Sequence, residues 1–247
     1  EVVPVAGDPF SIEVSATADL ETFFEVYFGE TDDEEPVMFM EGEAVQYTYS
    51  AVGDYELRVV ARSGGMASIE FTQTVTISNP LLLPIDFEST SQNYAFENFG
   101  GAESVVVDNP DMSDGNMSAR VGQMTKMDGS EVWAGSLLAL GEPIDFSQNQ
   151  LFSVKVWSPQ AGIPILMKLE NAADADVFVE VEQTITTANA WEEIVFDFSG
   201  ADLDPEYSKV VLFFDFGTAG TGANYYFDDI RLTNGLPEVA FPVDFEN

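Results

Sequence analysis

Two lysines and two tryptophans sit in stretches whose alternation fixes where they point. In Phe152-Ser153-Val154-Lys155-Val156-Trp157 the valines share one side and must face a core, so Lys155 and Trp157 project together from the other. In Ile165-Leu166-Met167-Lys168-Leu169-Glu170 the Ile, Met and Leu face inward, while Lys168 and Glu170 face out. In Glu131-Val132-Trp133-Ala134-Gly135, Trp133 shares its side with Glu131 and Gly135, and Asp215 shares its side with Val211 and Phe213. Flat indole faces stack on the apolar face of a ring-shaped ligand, and charged or planar polar groups on the same rigid surface hold its hydroxyls. Trp133, Lys155, Trp157, Lys168, Glu170 and Asp215 are therefore the candidate ligand-binding set, expected together on one face of a sheet. Solvent-facing residues of an ordinary sandwich, with half-buried tryptophans, would give the same pattern.

What the chain lacks narrows the chemistry further. Its 247 residues contain no Cys and no His, which excludes thiol nucleophiles, Ser-His-Asp triads, His-Glu-x-x-His zinc helices and imidazole bases. Carboxylates remain, and glycoside hydrolysis needs only two of them. With 44 Asp and Glu against 8 Lys and Arg, the formal charge is -36. That charge repels nucleic acid, anionic membrane surfaces and uronic or sulfated polymers, and it suits a saline medium. A neutral partner fits better. No stretch reaches the 18 or so apolar residues of a membrane-spanning helix, so no direct membrane insertion is expected. Glu1-Val2-Val3-Pro4 lacks the pattern of a signal peptide, so an export signal or anchor would lie upstream of residue 1.

The elements that must position these side chains are strands. Period-2 alternation rich in Val, Ile, Phe, Tyr and Thr recurs over 10–16, 55–61, 70–77, 152–157, 165–170, 194–198, 210–216 and 225–232, broken by Gly, Pro, Asn and Asp clusters. The chain is expected to be all-β. A boundary falls at Asn79-Pro80-Leu81-Leu82-Leu83-Pro84, where two prolines stiffen a junction. It leaves 1–79 for a small sandwich and 80–235 for a jelly roll. Leu83-Pro84-Ile85-Asp86-Phe87-Glu88 is echoed by Phe241-Pro242-Val243-Asp244-Phe245-Glu246, 158 residues later. Residues 236–247 are thus expected to be a linker and the start of a further repeat of the larger module.

Two family resemblances sharpen these expectations. Phe24-Glu25-Val26-Tyr27-Phe28-Gly29-Glu30 and Tyr47-Thr48-Tyr49-Ser50-Ala51-Val52-Gly53-Asp54-Tyr55-Glu56-Leu57 resemble the strand, turn and tyrosine corner of the polycystic-kidney-disease-type (PKD) domain, an immunoglobulin-like sandwich that serves as a spacer. Tyr27 and Glu30 stand where that family has aspartates, so no ligand role carries over. In the larger module, Asp86-Phe87-Glu88, Trp191-Glu192-Glu193-Ile194-Val195-Phe196-Asp197-Phe198 and Tyr225-Tyr226-Phe227-Asp228-Asp229-Ile230-Arg231-Leu232 resemble, in order, strands of jelly-roll carbohydrate-binding modules of the family 4, 9, 16 and 22 type. Asn109-Pro110-Asp111, Trp133-Ala134-Gly135, Lys168-Leu169-Glu170 and Phe213-Phe214-Asp215-Phe216-Gly217 are similar to modules of surface glycan-binding proteins and glucanases of marine Bacteroidota.

The resemblance implies non-catalytic capture of a neutral glucan, laminarin (a β-1,3-glucan) first, by a monomer at the outer-membrane surface beside TonB-dependent uptake machinery. It also implies that Trp191 packs rather than binds, and that a structural calcium joins the first and last strands, with Asp86, Glu88 and Asp229 as the expected ligands. Asp108 to Asn116 is oxygen-rich but lacks EF-hand spacing, and reads as turns. The Glu-x-Asp-x-x-Glu strand of laminarinase-type hydrolases is absent. A fragment of a glycan-degrading enzyme and a purely structural or adhesive surface protein remain as alternatives.

Overall fold

The computed structural model describes residues 1–19, 23–64 and 67–235. The described chain is all-β and divides after Asn79 into two compact units. No helix among the described residues is long and apolar enough to cross a membrane. The echo of the opening segment at 241–246 lies outside the described residues.

The first unit holds β1 (Val2–Pro4), β2 (Ser11–Ser15), β3 (Phe23–Tyr27), β4 (Val37–Phe39), β5 (Ala44–Thr48), β6 (Gly53–Arg62) and β7 (Ser68–Ile77). They form two antiparallel sheets, β1-β2-β5 and β4-β3-β6-β7. Alternate residues of both sheets, among them Ile12, Val14, Phe24, Val26, Leu57 and Val75, meet in one core. The Tyr55 hydroxyl donates to Ala51 O (2.9 Å) across the corner that the Tyr-x-x-x-Gly-x-Tyr spacing suggests, and Tyr49 donates to Phe28 O (3.0 Å). Glu30 accepts from Tyr47, from the Ser50 amide and from the Ser50 hydroxyl, and so ties the turn after β3 to β5 and the loop that follows it.

The second unit stacks two five-stranded antiparallel sheets. One has the order β15 (Trp191–Asp197), β12 (Leu151–Trp157), β17 (Ala223–Thr233), β10 (Arg120–Lys126), β9 (Ala102–Asp108); the other runs β14 (Phe178–Ile185), β13 (Ile163–Glu170), β16 (Lys209–Phe214), β11 (Gly135–Ala139), β8 (Glu97–Phe99). Between them Phe152, Val154 and Val156 face Ile165, Met167, Leu169, Leu212 and Phe214 in a single core, as the alternation requires. The expected opening strand at Asp86-Phe87-Glu88 is reduced to one bridge, Ile85 with Ile230. Phe87 has φ 56°, which turns the chain away from Ile230 and drops its ring into the core beside Tyr94 and Phe227.

Buried phenols make both units sensitive to alkali. Burial, with the charges of Glu34 and Glu30 nearby, pushes Tyr49 up to about 12. Burial, with Asp215, pushes Tyr225 up to about 12. A tyrosine near 10 when unfolded and about 12 when folded binds its proton better in the native state, so its stabilisation is complete below pH 10 and is lost as pH rises through 12. The part of the phenolate absorbance that Tyr49→Phe and Tyr225→Phe remove should therefore rise together with loss of the β circular-dichroism signal; its appearance near pH 10 in a still-folded protein would contradict this.

Candidate functional site

The outward side chains of the β14-β13-β16-β11-β8 sheet lie in rows set by strand register. Glu182, Leu166 and Phe213 lie opposite one another on successive strands. The next row is Glu180, Lys168, Val211, Leu137 and Glu97, and the third is Phe178, Glu170, Lys209 and Ala139. Leu137, Leu166, Val211 and Phe213, with Phe99 and Phe216 against them, form an apolar cluster on this outer face, separate from the inter-sheet core. Phe213 meets both Phe99 and Phe216 edge-on, with centroids 5.6 and 5.5 Å apart. Gly135 makes this possible: a Cβ there would come within 3 Å of the Phe213 and Phe99 rings.

Aromatic rings stand exposed at both edges. Trp133 stacks on Phe99 (6.1 Å, 17°) and leaves 47% of its surface open. At the opposite edge Phe178 is 42% exposed, with Lys168 Nζ 4.0 Å above its ring. Lys168 Nζ also pairs with Glu170 Oε1 at 2.8 Å, and both side chains are largely buried. Neighbouring strands lie about 4.8 Å apart, so five strands separate the two aromatic edges by roughly 19 Å. That span fits several linked rings better than one.

Trp133 sits in a loop rather than in the strand its alternation suggests. The Ala134 amide donates to Glu131 O (3.0 Å), closing a turn just before β11. This loop, 127–134, is zipped to loop 215–222: Gly217 N donates to Val132 O (3.0 Å), Gly129 N to Gly220 O (2.9 Å) and Gly220 N to Ser130 O (3.2 Å). Lys126, only 1% exposed, reaches between the loops, and its Nζ donates to Asp215 O (2.8 Å), Phe214 O (3.0 Å) and Val132 O (3.4 Å). Burial holds its ammonium below the usual lysine range, partly offset by the Asp215 charge. Asp215 lies at the end of β16 with φ 49°, and its carbonyl, not its carboxylate, is what Lys126 holds.

Of the six residues expected on one face, the structure gathers Trp133, Lys168 and Glu170 on this one and sets Asp215 at its loop border. Lys155 and Trp157 belong to the other sheet. Alternation in β12 correctly sends them outward, but outward from the opposite side of the sandwich. There Lys155 Nζ is bound to Asp229 Oδ2 (2.5 Å), and Arg231 joins Asp229 (3.5 Å) to Glu193 (3.0 Å). Trp157 meets Tyr226 edge-on at 5.4 Å. Trp191 packs, as expected, though outside the inter-sheet core: Gly115 lies against its Cβ, and its indole donates to Asp111 O (2.8 Å). The 109–119 segment thus covers part of this second outer face. Phe99, Phe178, Phe213 and Phe216 were not singled out from sequence; alternation within β14 and β16 carries the signal for Phe178 and Phe213.

The three expected calcium ligands do not come together. Asp229 serves Lys155 and Arg231, Asp86 accepts from the Glu88 amide (3.1 Å), and Glu88 accepts from the Arg120 amide (3.0 Å). Among the described residues no three acidic side chains form a metal-ligating group. The adjacent Asp228 is the buried acid. It is 0% exposed, its Oδ2 accepts from Asn116 Nδ2 (2.8 Å), and its Oδ1 has no partner. Burial pushes it up to about 6, against the influence of Ser118, Asn116 and the Asp229 amide. The reason for the exchange is a bulge: Asp229 has φ 49°, and the β12–β17 register slips between Ser153 and Lys155.

No protein-family model matches the sequence, and no curated protein matches it. Among solved structures, a carbohydrate-binding module of the β-sandwich superfamily is 17% identical over 94% of each chain, with a TM-score of 0.43. The family 11 carbohydrate-binding module of a cellulosomal cellulase of Clostridium thermocellum is 15% identical over 65% of this chain and 97% of its own, with a TM-score of 0.42. An exo-β-agarase is 12% identical over 65% of this chain and 25% of its own, with a TM-score of 0.48. Likenesses at this level leave the ligand unspecified.

Proposed function

We propose that the second unit binds a neutral polysaccharide on the outer face of the β14-β13-β16-β11-β8 sheet and does not cleave it. The observation that carries this reading is the pairing of exposed rings at both edges, Trp133 and Phe178, across an apolar floor that bears one fixed ion pair, Lys168 with Glu170. Rings stack on pyranose faces, and the ion pair presents rigid donors and acceptors to hydroxyls. The net charge of -36 disfavours uronic and sulfated chains. Hydrolysis would need one carboxyl kept protonated beside one kept ionised. Glu170, the carboxylate set deepest in this face, is instead matched to an ammonium.

A β-1,3-glucan is the first candidate ligand, captured outside the cell at the outer-membrane surface for a TonB-dependent uptake system, with the first unit as a PKD-type spacer. Repeated modules would gain avidity along one polymer. Affinity gel electrophoresis of the chain in laminarin, mixed-linkage glucan, xylan, mannan and alginate, with a reducing-end assay, tests the reading. Retardation by laminarin without sugar release supports it. Sugar release would make the protein an enzyme, and no retardation by any of the five polymers would favour a structural role.

Calcium belongs to the same proposal, moved to Asp228. A buried carboxylate oxygen without a partner is costly, and a hard cation bound at Asp228 would relieve that cost. Chelation by EDTA should lower the melting temperature of the second unit by roughly 5 °C or more, reversibly with added calcium, and Asp228→Asn should abolish the response. Identical melting with and without EDTA would remove calcium from the account.

A further inference from the structure

The opposite outer face, on the β15-β12-β17-β10-β9 sheet, carries features that the first site leaves unexplained. Strand register lines up Val105, Gln123, Tyr226, Trp157 and Trp191 across all five strands. Beside its Tyr226–Trp157 pair lies a shallow groove of about 450 Å³, walled by Trp157, Tyr226, Gln160, Asn224 and Thr221 among others. None of its eight lining residues is charged, in a chain where 21% of residues are.

The polar groups of the groove are held or free in a useful way. Asn224 Oδ1 accepts from Thr125 Oγ1 (2.7 Å), which orients the amide and leaves its Nδ2 without a partner among the described residues. Thr125 in turn accepts from Gln123 Nε2 (3.1 Å). The Gln160 side-chain amide has no partner among the described residues, while its backbone is fixed by Ser158. The Trp157 Nε1 is buried without an acceptor, so what the half-exposed indole offers to the groove is its apolar ring. The ring is braced edge-on by Tyr226.

We propose that this groove is a second, weaker carbohydrate-binding site, one that takes a short run of neutral sugar rings by stacking on Trp157 and Tyr226 and by hydrogen bonds from the amides of Asn224 and Gln160. A charge-free wall suits a neutral polyhydroxylated ligand, because an ionic one would be desolvated with nothing to pair with it. Aromatic rings beside free amides are the combination that holds such a ligand. The choice of sugar as probe rests on the function proposed above; the location does not.

The three tryptophans give three indole N–H resonances, one for each relevant place: Trp133 at the first site, Trp157 at the groove and Trp191 in packing. Titrating the full chain with laminarihexaose, cellohexaose and xylohexaose, one of them should shift the Trp133 and Trp157 signals along separate binding curves, the second at least ten-fold weaker. In Trp133→Ala the Trp157 response should persist, and in Gln160→Ala/Asn224→Ala, two exposed positions, it should weaken ten-fold or more while the Trp133 curve is unchanged. A Trp157 signal that never moves, that moves only with Trp133, or that ignores the double substitution overturns the second site and leaves the first standing. A Trp157 response with no Trp133 response overturns the first and leaves the second. No response to any of the three hexaoses overturns both.

Discussion

Trp133→Ala is expected to weaken polysaccharide binding at the main face by roughly 30-fold while the protein remains folded. Truncating a tryptophan that anchors a ligand typically costs about 2 kcal/mol, which is a factor of about 30. The fold should tolerate the change because Trp133 is 47% exposed and touches the outer cluster through Phe99 rather than the inter-sheet core. Phe178→Ala at the far edge should cost less. It removes a smaller ring and frees Lys168, which still has Glu170. Calorimetry with laminarin, paired with thermal melts, checks the prediction. Unchanged affinity in a folded Trp133→Ala variant would move the ligand off this face.

The alternation of hydrophobic and polar residues carried the sandwich architecture and the outward placement of several candidate residues, and its failures have specific causes. Lys168 and Glu170 were legible because β13 is regular over Ile163–Glu170 and buried on its inner side. Lys155 and Trp157 obey the same rule on β12, yet period 2 distinguishes only inside from outside. Which of two stacked sheets a strand joins is decided by non-local pairing, here β12 with β15 and β17, which no local pattern records. Trp133 escaped the strand rule because a turn hydrogen bond from Ala134 to Glu131 fixes it. The environments of Asp228 and Asp229 were not legible because a left-handed Asp229 inserts a bulge, so Asp228 is buried under Asn116 while Asp229 pairs with Lys155. Lys126 could not have been found at all. Its sequence position marks only an alternating strand, and its role comes from two loops that close over it from elsewhere in the chain.

Lys126→Met is expected to destabilise the second unit by about 2 kcal/mol and to lower polysaccharide affinity about ten-fold at a site the residue does not touch. Methionine keeps most of the buried stem packing, so the loss is confined to the ammonium and its bonds to the Val132, Phe214 and Asp215 carbonyls. Hydrogen bonds to a charged donor contribute about 1.5–3 kcal/mol each, but burying the ammonium offsets part of that sum, which is why burial also holds its proton affinity down. The net effect corresponds to a melting-temperature drop of roughly 4–8 °C for a unit of this size. Affinity should fall because Lys126 is the side chain that ties loop 127–134, which carries Trp133, to the end of β16, where Phe213 and Phe216 build the floor beneath it. The two loops also share three backbone hydrogen bonds. If those alone hold Trp133 in place, the variant will be less stable yet bind as well as the wild type, and Lys126 will be a stability residue only. If stability is unchanged as well, the cost of burying its charge equals what its three bonds return.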